Sequence, residues 1–285
     1  MGILVVESGS TKTDWRLIAP DGSISQFKTI GFNPYYQDSS TIYNEIAENI
    51  LGKIQFDISK VFYYGTGITS EEKSEIVKIA IQKAFNNAEI EVFDDMKAAA
   101  RSLCLDEPGI ACILGTGANS CYFDGKSITE QIKPLGFWLG DEGSGGYLGK
   151  ELIKKYLRQE LSPEIREKFI KKFGELTRTE ILDKAYNQPL PNKYFAGFSK
   201  FIFDNRANPE MYLIVYEAFN LFFEKNVLKY TNYQSVKVHF TGSVAFYYSD
   251  ILRKAAVKNG ITVGVILESP IAGLVLFHKN QGKTL

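Results

Sequence analysis

Apolar and polar positions follow two different rhythms along this chain, and the changes of rhythm divide it. Ile3-Leu4-Val5-Val6 is an unbroken apolar run, followed by the small polar stretch Glu7-Ser8-Gly9-Ser10-Thr11-Lys12-Thr13. Asp14-Trp15-Arg16-Leu17-Ile18 comes next, Pro20-Asp21-Gly22 supplies turn residues, and Ser23-Ile24 starts another extended segment. Short apolar runs bounded by turn signals read as buried strands, and runs separated by a glycine loop as hairpin partners. The same order recurs as Ala111-Cys112-Ile113-Leu114, Gly115-Thr116-Gly117-Ala118-Asn119, Ser120-Cys121-Tyr122-Phe123, Asp124-Gly125 and Ser127-Ile128. Two antiparallel meanders in equivalent places predict duplicated domains.

Behind each meander the pattern changes to helices and buried strands. In the first half, helices are expected over 42–51 and 96–105, strands over 61–64 and 91–93, and a helix capped by Ser70 between them. In the second half, 143–159 reads as a helix, several more follow up to Tyr230, 236–240 and 261–266 read as strands, and 271–278 as a closing helix. The charged turn Asp106-Glu107-Pro108-Gly109 is the expected boundary. It gives an N-terminal domain over 1–107 and a C-terminal domain over 108–285 that carries the helical insertion.

A chain of 285 residues has room for two ordinary domains. Lys+Arg and Asp+Glu both number 33, so no net field draws in nucleic acid or an acidic membrane, and neither is expected as a partner. The N-terminus has no basic stretch before its apolar run, and no run approaches the ~18 residues of a membrane span. A cytoplasmic protein is expected. Cys104, Cys112 and Cys121 form no CxxC pair, and only His239 and His278 are histidines, which argues against disulfide and zinc chemistry. The cysteines are expected to pack as small hydrophobes.

Four glycine loops each follow an expected strand: Gly9–Lys12, Gly65-Thr66-Gly67, Gly115–Gly117 and Gly242-Ser243. Backbone N–H groups at such places bind phosphate oxygens without needing net positive charge. Neither a P-loop nor a dinucleotide fingerprint is present.

The motifs then become specific. The segment Val6 to Asp14 resembles the phosphate-1 loop of the sugar kinase, actin and chaperone ATPase superfamily, and Ile113 to Ser120 resembles its phosphate-2 loop. Leu139-Gly140-Asp141-Glu142-Gly143-Ser144-Gly145-Gly146 is similar to the G-D-E-G-S segment of N-acetylglucosamine kinases and of BadF/BcrA-type ATPases. Phe240-Thr241-Gly242-Ser243-Val244 resembles the adenosine motif. The matches keep their order over nearly the whole chain, leaving about 150–234 largely unmatched. The resemblance implies an α/β protein of two duplicated actin-like (ribonuclease H-like) domains around a nucleotide cleft. It departs from the superfamily at Glu7, where Asp is usual.

By the same resemblance, Gly9, Ser10, Thr11, Lys12, Gly115, Thr116, Gly117, Gly242 and Ser243 bind ATP, and Glu7 helps to place Mg²⁺. Pro270-Ile271-Ala272-Gly273 would border the adenine. Val92-Phe93-Asp94-Asp95-Met96-Lys97-Ala98-Ala99 resembles the family's D-x-x-A-A segment, which makes Asp95 the general base and leaves Asp94 to cap a helix. Asn33 and Tyr35 or Tyr36, Asn119, Trp138 and Asp141 are put forward on the sugar side. The expected activity is ATP-dependent phosphorylation of an N-acetylated amino sugar, N-acetylglucosamine first among them, by a protein that could form a homodimer. A BadF/BcrA-type activator and a nucleotide-binding sensor are the alternatives. The activator would need four thiolates across a dimer, and Cys112 and Cys121 fall inside expected strands.

Overall fold

The computed structural model describes residues 1–9 and 11–281. These divide into two compact units, Met1–Asp106 with the segment from Ser269, and Glu107–Glu268.

In the first unit, β1 (Gly2–Ser8), β2 (Lys12–Ile18) and β3 (Ile24–Ile30) form an antiparallel meander. Helix α1 (Ser39–Asn49) leads to β4 (Ile58–Gly65), and α2 (Glu71–Ala84) leads to β5 (Glu89–Asp94). Both new strands run parallel to β1, which gives the order β3-β2-β1-β4-β5. Helix α3 (Asp95–Cys104) closes this stretch. Local chemistry sets the helix starts: Asp38 accepts from the Thr41 N–H and Ser70 from the Lys73 N–H.

The second unit repeats this topology. Strands β6 (Pro108–Leu114), β7 (Ala118–Asp124) and β8 (Ile128–Glu130) form the meander. The short α4 (Gly136–Leu139) and α5 (Gly145–Leu157) come next, then α6 (Pro163–Phe173), α7 (Arg178–Tyr186), α8 (Pro191–Ala196), α9 (Ser199–Asp204) and α10 (Pro209–Lys225). Strand β9 (Lys237–Thr241), helices α11 (Ser243–Tyr247) and α12 (Ser249–Lys258), and β10 (Val263–Leu267) complete the sheet. Its order, β10-β9-β6-β7-β8, matches the first sheet strand for strand, with β9 and β10 parallel to β6. The duplication expected from the two meanders is therefore a property of the whole sheets. The insertion between β8 and β9 extends the core of the second sheet: Phe169, Phe198, Phe201, Phe219 and Phe222 are buried in one cluster with Leu148 and Leu152 of α5 and with Ile110, Cys112 and Phe240 of the strands.

One expectation is corrected. The closing helix α13 (Ile271–Gln281) was assigned to the second domain, but it packs in the first unit, against α3. Ile271, Leu274 and Val275 bury against Val5, Tyr64 and Ala98. A Cβ on Gly273 would lie 2.3 Å from the Ser102 carbonyl oxygen, so glycine is what lets the two helices approach this closely. A buried polar chain fixes the register. Arg101 donates to the Tyr64 hydroxyl (2.7 Å), whose oxygen is hydrogen-bonded to His278 Nε2 (2.9 Å). Burial, with the Arg101 charge nearby, holds the His278 imidazole down to about 3, so it stays neutral. All three cysteines are buried, and burial pushes the Cys104 thiol up to about 12.

Candidate functional site

The parallel strands of the first unit end in register, Ser8 opposite Gly65 and Gly65 opposite Asp94. Their carboxyl ends are where open α/β sheets present chemistry. Glu7 lies on the same face of β1 as Val5, the face covered by α3 and α13. Its Oε2 accepts from the Ser269 hydroxyl at 3.5 Å. Burial first, and then the charge of Asp14, push the Glu7 carboxyl up to about 7; Lys12 opposes this and Asp95 adds to it.

The two neighbouring aspartates separate as their positions require. Asp94 is the N-cap of α3 and accepts from the Lys97 N–H at 2.7 Å. Asp95 is the first helical residue. Desolvation, then the Asp94 charge, pushes its carboxyl up to about 6, although its surface is open to solvent. Protein atoms crowd the carboxyl on one side while water reaches it on the other, and the crowding favours its neutral form.

In the turn after β1, the Gly9 N–H donates to the Lys12 carbonyl (3.0 Å) and Lys12 Nζ pairs with Asp14 at 3.0 Å. Lys12 was put forward for the nucleotide; here its ammonium accompanies a buried carboxylate that Arg16 also approaches at 3.9 Å. Thr11 is exposed in the same turn, and Ser10 lies outside the described residues. The buried Ser8 hydroxyl accepts from the Phe32 N–H at 2.8 Å and lies 2.8 Å from Thr13 Oγ1, which donates to the Ile30 carbonyl. These bonds tie the phosphate-1-like turn to the segment that carries Asn33.

Asn33 makes the turn itself. Its Oδ1 accepts from the Tyr35 N–H at 3.0 Å, and a Cβ on Gly67 would lie 2.7 Å from that same oxygen. The Gly65-Thr66-Gly67 loop thus backs the amide closely, with Gly67 at φ +79°. Tyr35 is tied down at both ends: its hydroxyl meets Thr69 Oγ1 at 2.7 Å and the Lys73 ammonium sits 4.9 Å from its ring centre. Tyr36 is more exposed, at 73%.

In the second unit, helix α5 docks by its backbone onto the Gly115-Thr116-Gly117 loop. The Gly145 and Gly146 N–H groups donate to the Gly115 and Thr116 carbonyls at 2.8 and 3.1 Å. A Cβ on Gly146 would lie 3.0 Å from the Thr116 oxygen. Asp141 stands beside this loop in a left-handed conformation, φ +60°, rare for a residue other than glycine. Its Oδ1 accepts from the Ala118 N–H at 3.2 Å. The cap of α5 is Ser144, which accepts from Tyr147, so Asp141 is not spent on capping. Gly242, at φ +113°, lies against the end of β6, and Ser243 opens α11. Asn119 Oδ1 accepts from Ser120 N and Gln131 Nε2, a bracing role within its meander. Trp138 is half-exposed and stacks on Tyr186 at 5.5 Å.

Similarity to solved structures decides the family. The chain is 41% identical to a candidate N-acetylglucosamine kinase of Porphyromonas gingivalis, over 98% of this chain and 99% of that one, with a TM-score of 0.90. This chain belongs to the N-acetylglucosamine kinase family. That family is a branch of the actin-like sugar kinase superfamily. A candidate N-acetylglucosamine kinase of Chromobacterium violaceum shares the fold at 16% identity and a TM-score of 0.74, covering 97% of this chain and 98% of that one. A ROK family glucokinase of Streptomyces griseus, solved with glucose and AMPPNP, does so at 15% and 0.55, covering 98% and 99%. No protein-family model matches the chain. Comparison with curated proteins finds no match.

Four residues that brace these candidate segments, each within its own unit, escaped the sequence reading. Ser8 and Thr13 lie inside the phosphate-1-like motif, but only the fold shows that their hydroxyls point inward. Ser269 reaches Glu7 from the other end of the chain, and no local pattern announces that. Lys150 sits in an ordinary helical stretch, and its ammonium donates to the Phe137 carbonyl. Among the described residues, no group of three or more His, Cys, Asp or Glu side chains is placed to hold a metal. The desolvated Glu7 carboxyl nevertheless fits Mg²⁺, which takes one or two carboxylates and keeps several waters. A nearby cation would restore its charge.

Proposed function

We propose that the protein transfers the γ-phosphoryl group of ATP to N-acetylglucosamine, with Asp95 as the general base. The observation that carries this reading is the division of labour at the end of β5. Asp94 is committed to the helix cap, which leaves the Asp95 carboxyl to act on a ligand. The acceptor hydroxyl attacks the γ-phosphorus and its proton passes to Asp95. The bond from that phosphorus to the ADP oxygen breaks, and ADP leaves. The Gly9 to Lys12 turn, the Gly115 to Gly117 loop and the Gly242-Ser243 corner bind the nucleotide through backbone N–H groups. Glu7 would hold Mg²⁺, which would supply positive charge to offset that of the phosphates. Asn33 and Asp141 pair with sugar hydroxyls, Tyr35 packs beside the ring, and Asn119 steadies the loop. The binding of glucose and AMPPNP by the S. griseus glucokinase, which shares the fold, supports a sugar and a nucleotide as the ligands.

The test is ATP consumption with Mg²⁺ and a panel of hexoses, hexosamines and N-acetylhexosamines. Turnover should rise with N-acetylglucosamine and respond much less to glucose. Equal turnover with glucose, or with no sugar, would overturn the substrate assignment. Glu7→Gln should raise the Mg²⁺ concentration needed for half-maximal turnover. An unchanged Mg²⁺ requirement would remove Glu7 from the ion.

A further inference from the structure

The turn that carries Asn33 is braced on two sides within the first unit. Its own chain closes one side. The Asn33 carbonyl accepts from the Tyr36 and Gln37 N–H groups (2.9 and 3.1 Å), and Gln37 Oε1 accepts from the Asn33 N–H (2.8 Å). The β4–α2 turn closes the other. Lys73, in the first turn of α2, donates to the Pro34 carbonyl at 3.3 Å and lies over the Tyr35 ring, while Thr69 is bonded to the Tyr35 hydroxyl. Gly67 leaves no room behind: a Cβ on it would lie 3.2 Å from Pro34 Cδ as well as against the Asn33 amide. This bracing fixes which end of that amide is available. Asn33 Oδ1 accepts from the Tyr35 N–H, and turning the amide over would set two donors against each other. The Nδ2 group is therefore the end left for a ligand, and it can only donate.

We propose that Thr69 and Lys73 are positioning residues for sugar recognition: they hold the Pro34-Tyr35 turn so that Asn33 donates from Nδ2 to the oxygen of a sugar hydroxyl and Tyr35 lies beside the ring. The inference rests on the reading of Asn33 as a sugar ligand. Each of the two restrains a different part of the turn. Tyr35 is 56% exposed, and a side chain that open has several rotamers available unless something holds it. The Thr69 hydroxyl holds the far end of the ring. Lys73 reaches from the ring face to the Pro34 carbonyl, and so joins the side chain to the backbone beside Asn33. A turn fixed before the sugar arrives spares binding the cost of ordering it, which raises affinity without adding a contact. Neither residue belongs to the glycine loops assigned to the nucleotide, so the effect falls on the sugar.

The experiment is calorimetric titration of N-acetylglucosamine, and separately of AMPPNP, into the full chain and its variants. Thr69→Val, Lys73→Met and Tyr35→Phe should each weaken sugar binding by about 3- to 10-fold, the range of one hydrogen bond, with AMPPNP affinity unchanged. Thr69→Ser and Lys73→Arg should keep most of the wild-type affinity. Tyr35→Phe and Thr69→Val remove the same bond, so the double variant should lose no more than either alone. Losses that multiply, wild-type sugar affinity in Thr69→Val or Lys73→Met, or equal losses for sugar and AMPPNP would each overturn the proposal. Thr69 is exposed, so its variants keep the test open even if Lys73→Met does not fold. Asn33→Asp keeps an oxygen for the Tyr35 N–H and removes the Nδ2 donors, whereas Asn33→Ala removes both. If both leave sugar affinity intact, the ligand reading of Asn33 falls and this inference falls with it. If Asn33→Ala weakens binding but Asn33→Asp does not, or if both do and the Thr69 and Lys73 variants do not, only the inference fails.

Discussion

Asp95→Asn should lower turnover by at least ~100-fold while nucleotide and sugar still bind. A positioned base contributes about 10²–10⁴-fold, or about 3–5 kcal/mol of barrier. The amide keeps the shape and removes the proton acceptor, so the loss belongs in kcat rather than in affinity. With the Asp95 carboxyl pushed up to about 6, wild-type kcat should fall as pH drops through that value, because the protonated acid cannot accept the hydroxyl proton. Asp94→Ala tests the neighbouring position. It removes the bond to Lys97 N and should cost about 0.5–2 kcal/mol of stability while leaving most of the turnover. Removing the Asp94 charge should also shift the acid limb of kcat to lower pH. Turnover profiles and melting curves of both variants decide the matter. Turnover lost in Asp94→Ala and kept in Asp95→Asn would reverse the assignment.

Gly242→Ala should be the most damaging single methyl group in the nucleotide loops. The added Cβ would lie 2.4 Å from the Leu114 carbonyl oxygen and 3.1 Å from Gly115 N, at a φ of +113° that an L side chain rarely adopts. Overpacking against rigid backbone costs about 1–3 kcal/mol, and the forced backbone about 1–3 more. The neighbouring Gly115–Gly117 loop should also be displaced, so AMPPNP affinity should fall even in the molecules that remain folded. Gly115→Ala is the control: a Cβ there meets nothing within 4 Å and its φ lies outside the left-handed range. Thermal unfolding and AMPPNP titration of the two variants should rank them in that order. A Gly242→Ala protein as stable as wild type would show that the end of β6 gives way more easily than a sheet backbone should.

How much could be read beforehand depended on whether the determinant was local. Both meanders were legible because apolar runs, glycine loops and Asp-Gly turns act on adjacent residues. The cap at Asp94 was legible for the same reason: a strand end running into a helix needs a side chain to accept one of its first N–H groups. Asn33 was put forward on the sugar side; the turn it makes with the Tyr35 N–H is local, but its contact with Gly67 depends on a distant loop. The left-handed conformation of Asp141 carries no sequence mark, since glycine would be the usual residue there. The destination of α13 was hidden as well. Ile271-Ala272-Gly273-Leu274-Val275-Leu276-Phe277 is apolar almost all round, so its pattern announces burial without naming a partner.

That returning helix sets an order on how the molecule is made. The second unit is one uninterrupted stretch, 107–268, and can bury its core as soon as that stretch has left the ribosome. The first unit is begun earlier and finished later. Val5, Tyr64 and Ala98 keep an uncovered face until Ile271, Leu274 and Val275 have been synthesised. A nascent chain usually completes its domains from the N-terminus onward; here the later unit is the first that can be complete, and the half bearing Glu7 and Asp95 waits for the last helix.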